Sequence, residues 1–188
     1  IKKILLVADT FFPEKNSAAL MLNSLANHIH NEKIELLIVT PHDNSRSKIN
    51  ILKENNYSHL KFYCPFLKSR ILILRTFGEF ILSRFFIKNS KKLNDYFKNI
   101  DLIISYSPTI FFGPYIKFLK KEFNIKKSYL ILRDIFPQWI IDLNILDKRN
   151  PIYFIFKYYE KVLYSNSSKI GIQSQNNSKY FNSQYYKK

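Results

Sequence analysis

The sequence predicts an α/β protein built on a doubly wound parallel sheet, and three observations carry that prediction. Short apolar runs, closed by proline or a polar residue, alternate with stretches of helical periodicity along nearly the whole chain. Hydrophobic residues make up 46% and aromatics 16%, which excludes a disordered chain and gives a core much Tyr and Phe to bury. The 188 residues suffice for one domain with a sizeable core but not for two, since a chain of this size buries about 70% of its unfolded surface.

Ile4 to Ala8 is an apolar run closed by Asp9 and Pro13 and reads as a buried strand. Ser17 then precedes Ala18 to His30, where Leu20, Leu22, Leu25, Ala26 and Ile29 recur at helical spacing. Ile34 to Thr40 is a second buried strand stopped by Pro41, completing the strand–helix–strand unit from which parallel sheets are made. The polar connection His42 to Asn56 reads as an exposed loop with at most one helical turn. Strand Leu60 to Cys64 and a long helix over about Ile71 to Lys98 follow. Leu102 to Tyr106 is a strand closed by Pro108, with a helix around Tyr115 to Phe123. Ser128 to Leu132 is the next strand, Ile152 to Tyr164 the next helix and Lys169 to Gln173 the last strand. The tail Asn176 to Lys188 reads as short helix or irregular chain.

The formal charge of +16 has two readings. It suits an anionic partner, or it follows from a composition heavy in Lys, Asn and Ile with only 3 Gly, as an A- and T-rich coding sequence produces. No helix-turn-helix, zinc-finger or RNA-recognition signature accompanies it, so nucleic acid is not the expected partner. The single cysteine, Cys64, allows neither an internal disulfide nor a cysteine metal cluster. The apolar start runs straight into Asp9, short of the about 7 to 15 residues of a secretory core, so a cytoplasmic location is expected. No stretch reaches the roughly 20 apolar residues of a spanning helix. The nearest, Ile71 to Ile87, is interrupted by Arg75, Glu79 and Arg84.

In doubly wound sheets ligands bind at the carboxyl ends of the strands, where loops diverge and helix amino termini point outward. The first such loop, Asp9 to Ser17, contains no glycine, and no Gly-x-Gly-x-x-Gly or Gly-x-x-x-x-Gly-Lys occurs anywhere. A dinucleotide enzyme and a P-loop ATPase are therefore disfavoured, because only glycine lets the backbone approach a pyrophosphate that closely. His28 and His30 stand on different helix faces, Asp-x-Asp is absent, and the four histidines read as surface or boundary residues. No metal site is expected. At the end of the strand Leu130 to Leu132 come Arg133, Asp134, Ile135, Phe136 and Pro137, which deliver a carboxylate into the cleft. That carboxylate can act as general base for a hydroxyl or cap the following helix.

The run Asp134-Ile-Phe-Pro-Gln-Trp-Ile-Ile-Asp-Leu143 resembles a segment of the family-4 glycosyltransferases that build bacterial O-antigen and capsule sugars. Three further segments resemble the same family in the same order: Lys3 to Val7 with Phe12-Pro13-Glu14 and Ala18-Ala19, Asp101 to Thr109, and Lys169 to Asn177 with Tyr180-Phe181. The resemblance is poorest over His42 to Ile100, and Asn16-Ser17 stands where many members carry a Gly pair.

The resemblance implies the amino-terminal, acceptor-side half of a GT-B fold, in which two Rossmann-like domains face each other across a cleft. It implies a nucleotide-sugar donor held mainly by the other half, a lipid-linked or saccharide acceptor, and no cofactor or catalytic metal. By motif position Asp134 is the candidate base, with Arg133 beside it for developing charge. Glu14, Asn16 and Ser17 are expected to line the cleft from the first loop, and Ser107, Gln138, Ser174 and Asn176 are the remaining candidate substrate-binding residues. The carboxyl-terminal donor-binding domain lies outside these 188 residues, so little activity is expected of them alone. That domain is either part of a longer gene or a separate donor-binding chain. The alternative is a non-catalytic binding module on the same scaffold.

At helical pitch Arg84, Lys88, Lys91 and Lys92 fall on one side of the Ile71 to Lys92 segment, in line with Arg70 and with Phe77 and Ile81 between them. Basic residues flanking apolar ones suit an anionic membrane surface at the inner face of the cell. The other reading is a buried helix with charged ends.

Overall fold

The computed structural model describes residues 2–54, 57–67 and 69–183. Its strands are β1 Lys3–Val7, β2 Glu35–His42, β3 Ile49–Lys53, β4 Ser58–Tyr63, β5 Leu102–Ser107, β6 Lys127–Leu132 and β7 Lys169–Ile172. The helices are α1 Ser17–Asn31, α2 Leu72–Lys92, α3 Gly113–Glu122, α4 Gln138–Asp142, α5 Pro151–Ser165 and α6 Gln175–Ser183, with 3₁₀ turns at Asn94–Phe97 and Ile110–Phe112. All seven strands form one sheet in the order β3-β4-β2-β1-β5-β6-β7.

Every pairing from β4 through β7 is parallel. The alternation of β1 side chains divides the core in two. Leu5 and Val7 face Leu82 and Phe86 of α2, Tyr115 and Leu119 of α3 and Leu163 of α5. Ile4, Leu6 and Ala8 face Leu22, Ala26 and Ile29 of α1. Both faces of β1 are thus buried, which is why it reads as a continuous apolar run. Helices cover both sides of the sheet, and the fold is Rossmann-like.

Two expectations from the sequence change. Within the stretch read as an exposed loop, Ile49–Lys53 is a strand, paired antiparallel with β4 at the sheet edge, so the sheet is mixed. Its residues are half-buried or exposed and lack a clean period of two; the ladder to β4, remote from local patterning, decides their conformation. The long helix ends at Lys92, and Asn94–Phe97 continues as a 3₁₀ turn. Asn94 and Asp95 are weak helix formers, and Asp95 pairs with Lys98 at 2.6 Å across the turn. Of the expected tail, residues 175–183 are helical and 184–188 lie outside the described residues.

α3 packs tightly on α5, and Gly113 sits at the contact. A Cβ there would stand 2.8 Å from the backbone nitrogen of Leu163. Gly113→Ala is therefore expected to destabilise the fold by about 1–3 kcal/mol, the usual cost of overpacking a rigid contact. Urea unfolding of the two proteins measures it, and an unchanged midpoint would show that α5 moves freely.

Candidate functional site

The parallel strands end together on one edge. Chain order reverses at β1, whose neighbours are β2 on one side and β5 on the other, so the crevice between the ends of β1 and β5 is the topological switch point. Asp9 lies there, two residues beyond β1. Its Oδ1 is buried without a hydrogen-bond partner. Burial pushes its carboxyl up to about 6, with Glu14 adding to the rise and a backbone N–H and Arg75 opposing it.

Arg75 and Glu79 come from the first turns of α2, with Arg75 Nε 3.6 Å from Glu79 Oε1. Burial raises the Glu79 carboxyl as well, Arg75 opposing and Asp9 adding. The Tyr106 phenol is raised by burial; a hydrogen bond and charge from Arg133 lower it, while Asp9 and Asp134 raise it. Groups from β1, α2, β5 and β6 thus converge on one charged cluster.

A cavity of about 500 Å³ opens beside it, lined by Asp9, Arg75, Glu79, Thr109, Asp134 and Trp139 among others. Its apolar wall is an aromatic cluster of Phe111, Phe136 and Phe156, with the Phe136 and Phe156 ring centroids 4.9 Å apart. A second cavity of about 560 Å³ shares Asp134 and Trp139 and adds Arg133, Gln138, Lys157 and Asn176. Asp134 stands between the two, exposed. α4 starts at Gln138 with Pro137 at its cap position and no side-chain cap bond, so the Asp134 carboxylate does not cap it.

The other predicted residues are more scattered. Gln138 lines the second cavity but gives its amide N–H to Asp142 Oδ1 at 2.7 Å. Asn176 lines it from the start of α6, and Ser174 accepts the Asn176 backbone N–H at 3.2 Å. Glu14 accepts from Thr10 Oγ1 at 2.8 Å and lines a small cavity that it shares with Asp9. Asn16 caps α1 by accepting the Ala19 N–H at 2.8 Å, and Ser17 is the exposed first residue of that helix. Ser107 ends β5 fully buried, its Oγ without a partner, and lines none of these cavities.

Arg70, Phe77, Arg84, Lys88 and Lys91 are exposed along α2 and just before it, whereas Ile81 packs partly against the core. The opposite side of the helix is buried through Leu82, Ser83 and Phe86.

One histidine departs from expectation. His59 is buried, its Nε2 2.7 Å from Thr40 Oγ1, and burial pushes it down to about 3. It sits on β4, where the Phe11 and Tyr57 rings, with centroids 5.3 and 6.4 Å from its own, exclude water. Among the described residues no group of three or more His, Cys, Asp or Glu is arranged to hold a metal, and no helix is long and apolar enough to cross a membrane.

Sequence reasoning missed Asp9, Arg75 and Glu79 as site residues. For Asp9 a signal existed: a lone carboxylate directly after an all-apolar strand. For Arg75 and Glu79 none did, because their place depends on how α2 crosses the sheet.

In a Rossmann-like domain the cleft at the switch point is where small ligands bind. No protein-family model and no curated protein matches the chain. The fold is shared with sugar transferases of the GT-B type. A trehalose-6-phosphate enzyme from E. coli bound with UDP-2-fluoro glucose aligns with a TM-score of 0.60 at 13% identity, over 94% of this chain and 41% of that one. The α,α-trehalose-phosphate synthase (UDP-forming) of Burkholderia xenovorans, in complex with glucose-6-phosphate, aligns with a TM-score of 0.61 at 8% identity, over 95% and 42%. Sucrose-phosphate synthase from Thermosynechococcus elongatus gives 0.63 at 11% identity, over 99% and 84%. The chain therefore spans less than half the length of the two trehalose-type structures. At such identities the likeness concerns the fold.

Proposed function

We propose that this chain is the acceptor-holding half of a bacterial glycosyltransferase of the family-4 O-antigen or capsule type. A sugar moves from a nucleotide-sugar donor, held by a second domain or a separate donor-binding chain, to a saccharide or lipid-linked acceptor in surface-polysaccharide synthesis. The observation that carries this reading is the cavity at the strand ends, which Asp9, Glu79 and Asp134 line together with Trp139. Carboxylates accept hydrogen bonds from sugar hydroxyls, and an indole face covers the apolar C–H face of a pyranose. Asp134, open to both cavities, is positioned to take the proton of an acceptor hydroxyl as it attacks, and Arg133 supplies a fixed positive charge beside it. No metal from this half enters that chemistry.

The test joins this chain to a donor-binding domain and follows label from a panel of nucleotide sugars into lipid-linked saccharides. Transfer that depends on the joined protein supports the reading. Acceptor binding without transfer from any donor would instead make the chain a binding module.

We place the protein peripherally on the inner membrane face. The exposed basic side chains of α2 support this, and so does Ile145, which lines the cavity yet is largely exposed. Replacing Arg84, Lys88 and Lys91 together with Gln is expected to weaken binding to anionic vesicles at least about tenfold, since each basic residue near such a surface contributes about 1 kcal/mol. Sedimentation with phosphatidylserine vesicles across a salt series measures it; equal binding of both proteins would remove this face from the proposal.

A further inference from the structure

The 500 Å³ cavity continues into a smaller lobe of about 110 Å³ that shares Asp9, Arg75, Glu79 and Thr109 with it and adds His42 and Asp43. Two residues that line this lobe carry a buried polar atom with no hydrogen-bond partner, Asp9 Oδ1 and His42 Nε2, and both residues also line the small cavity beside Glu14. His42 Nδ1 accepts the Asn44 backbone N–H at 3.2 Å. The neutral ring therefore carries its proton on Nε2, and that nitrogen is a donor without an acceptor. Burial, aided by Lys61 and opposed by Asp43, keeps the ring in this neutral form. The lobe thus offers one unused donor and one unused acceptor, each costly to leave unpaired.

A hydroxyl group satisfies both at once, accepting from His42 and donating to Asp9. A phosphate dianion satisfies only one of the two, accepting from His42. It has no proton to give a carboxylate, and it would enter a lobe where Asp9, Asp43 and Glu79 outnumber the one guanidinium of Arg75.

We infer that the lobe between Asp9 and His42 selects a sugar with a free hydroxyl or hydroxymethyl group and rejects its phosphate ester. This rests on the acceptor reading above and sharpens it. The B. xenovorans neighbour is solved with glucose-6-phosphate; this chain is assigned the unphosphorylated class. The size of the lobe suits an exocyclic hydroxymethyl arm, with the ring left in the larger cavity against Trp139.

Trp139 is the sole tryptophan of the chain and lines the larger cavity, so its emission reports occupancy directly. The 188-residue chain is titrated with methyl glucoside, methyl galactoside and N-acetylglucosamine, and with glucose 6-phosphate, galactose 6-phosphate and N-acetylglucosamine 6-phosphate, with calorimetry as a second readout. At least one neutral sugar is expected to bind about tenfold or more tightly than its own 6-phosphate, a difference of about 1.4 kcal/mol. Asp9→Asn and His42→Phe are each expected to shrink that ratio, while Lys121→Gln, exposed in the last turn of α3, leaves it unchanged. A phosphate that binds as well as or better than its neutral parent overturns the inference and leaves the sugar-acceptor reading standing. Failure of all six to bind means the lobe holds water only, and both fall. Retention of the ratio in both lobe variants would also overturn the assignment to these residues.

Discussion

Replacing Asp134 with Asn in a protein that pairs this chain with its donor-binding half is expected to lower turnover by at least about 100-fold, the low end of what a positioned general base contributes. The structure makes the substitution informative. The carboxylate is exposed between the two cavities, and α4 starts with no side-chain cap bond, so the amide removes proton-accepting capacity while leaving the helix start intact. If Asp134 takes the acceptor proton, kcat falls and KM for the acceptor stays close to its original value. A rise in KM with kcat preserved would reassign it to holding an acceptor hydroxyl. Turnover near the original level would direct attention to Asp9, whose carboxyl is held at about 6, close to working pH. Asp9→Asn in the same assay separates the two carboxylates.

Asp9→Asn is expected to make the chain more stable at pH 7.5, although it impairs the site. The Asp9 carboxyl lies at 3.8 in its ordinary environment and is raised to about 6 here, chiefly by burial. A raised folded value favours the folded state below the unfolded value, and the advantage is lost as pH rises through the folded one. Above about pH 7 the folded protein therefore bears the full cost of ionising a buried carboxylate, up to about 3 kcal/mol.

Asparagine removes that cost, so Tm at pH 7.5 is expected to rise by about 6–12 °C for a domain of this size. At pH 4 both proteins carry an uncharged side chain for much of the time, and the gain should all but vanish. Glu14 and Glu79 lose a like-charged neighbour in the variant, whereas Arg75 loses a counter-charge. Arg133, Tyr106 and His42 face the same crevice and are unchanged. His59, pushed down to about 3 by burial, weakens both proteins equally in acid and cancels in the difference. Thermal melts at the two pH values decide the matter. An asparagine variant less stable at both would mean that the carboxylate has partners in solution that hold it charged. A gain at pH 7.5 with loss of sugar binding is the pattern of a residue kept for function at the expense of stability.

How much of this was legible before the fold was known varies element by element. β1, β2 and β5 are buried on both faces and announced themselves as apolar runs, although β2 continues to His42 through the Pro41 read as its stop. α1 carried a clear apolar stripe, although its cap is Asn16 and not the Ser17 that the sequence set before it. The exposed basic side of α2 was also predictable, because helical pitch alone sets which residues share a face. β3 was not, since an edge strand of mostly exposed side chains takes its shape from the ladder to β4. The burial of His59 was equally hidden. A period-two strand shows which residues share a side, but not that the Thr40 hydroxyl waits on the neighbouring strand to bond the ring.

The sequence by itself determined the alternation of strand and helix, the loops that end at the ligand-binding edge, and the presence of Asp134 in one of them. Those properties are set by local periodicity and by residues that stop a strand, and they survive without knowledge of any distant contact. Tertiary structure alone decided that Asp9 and His42 share a lobe, that Arg75 and Glu79 close over it, and that Asp134 looks into two cavities instead of capping a helix. Groups from β1, β2, α2 and β6 meet there because the strand order reverses at β1. That reversal is a property of how strands pair across long loops, and no stretch of neighbouring residues encodes it.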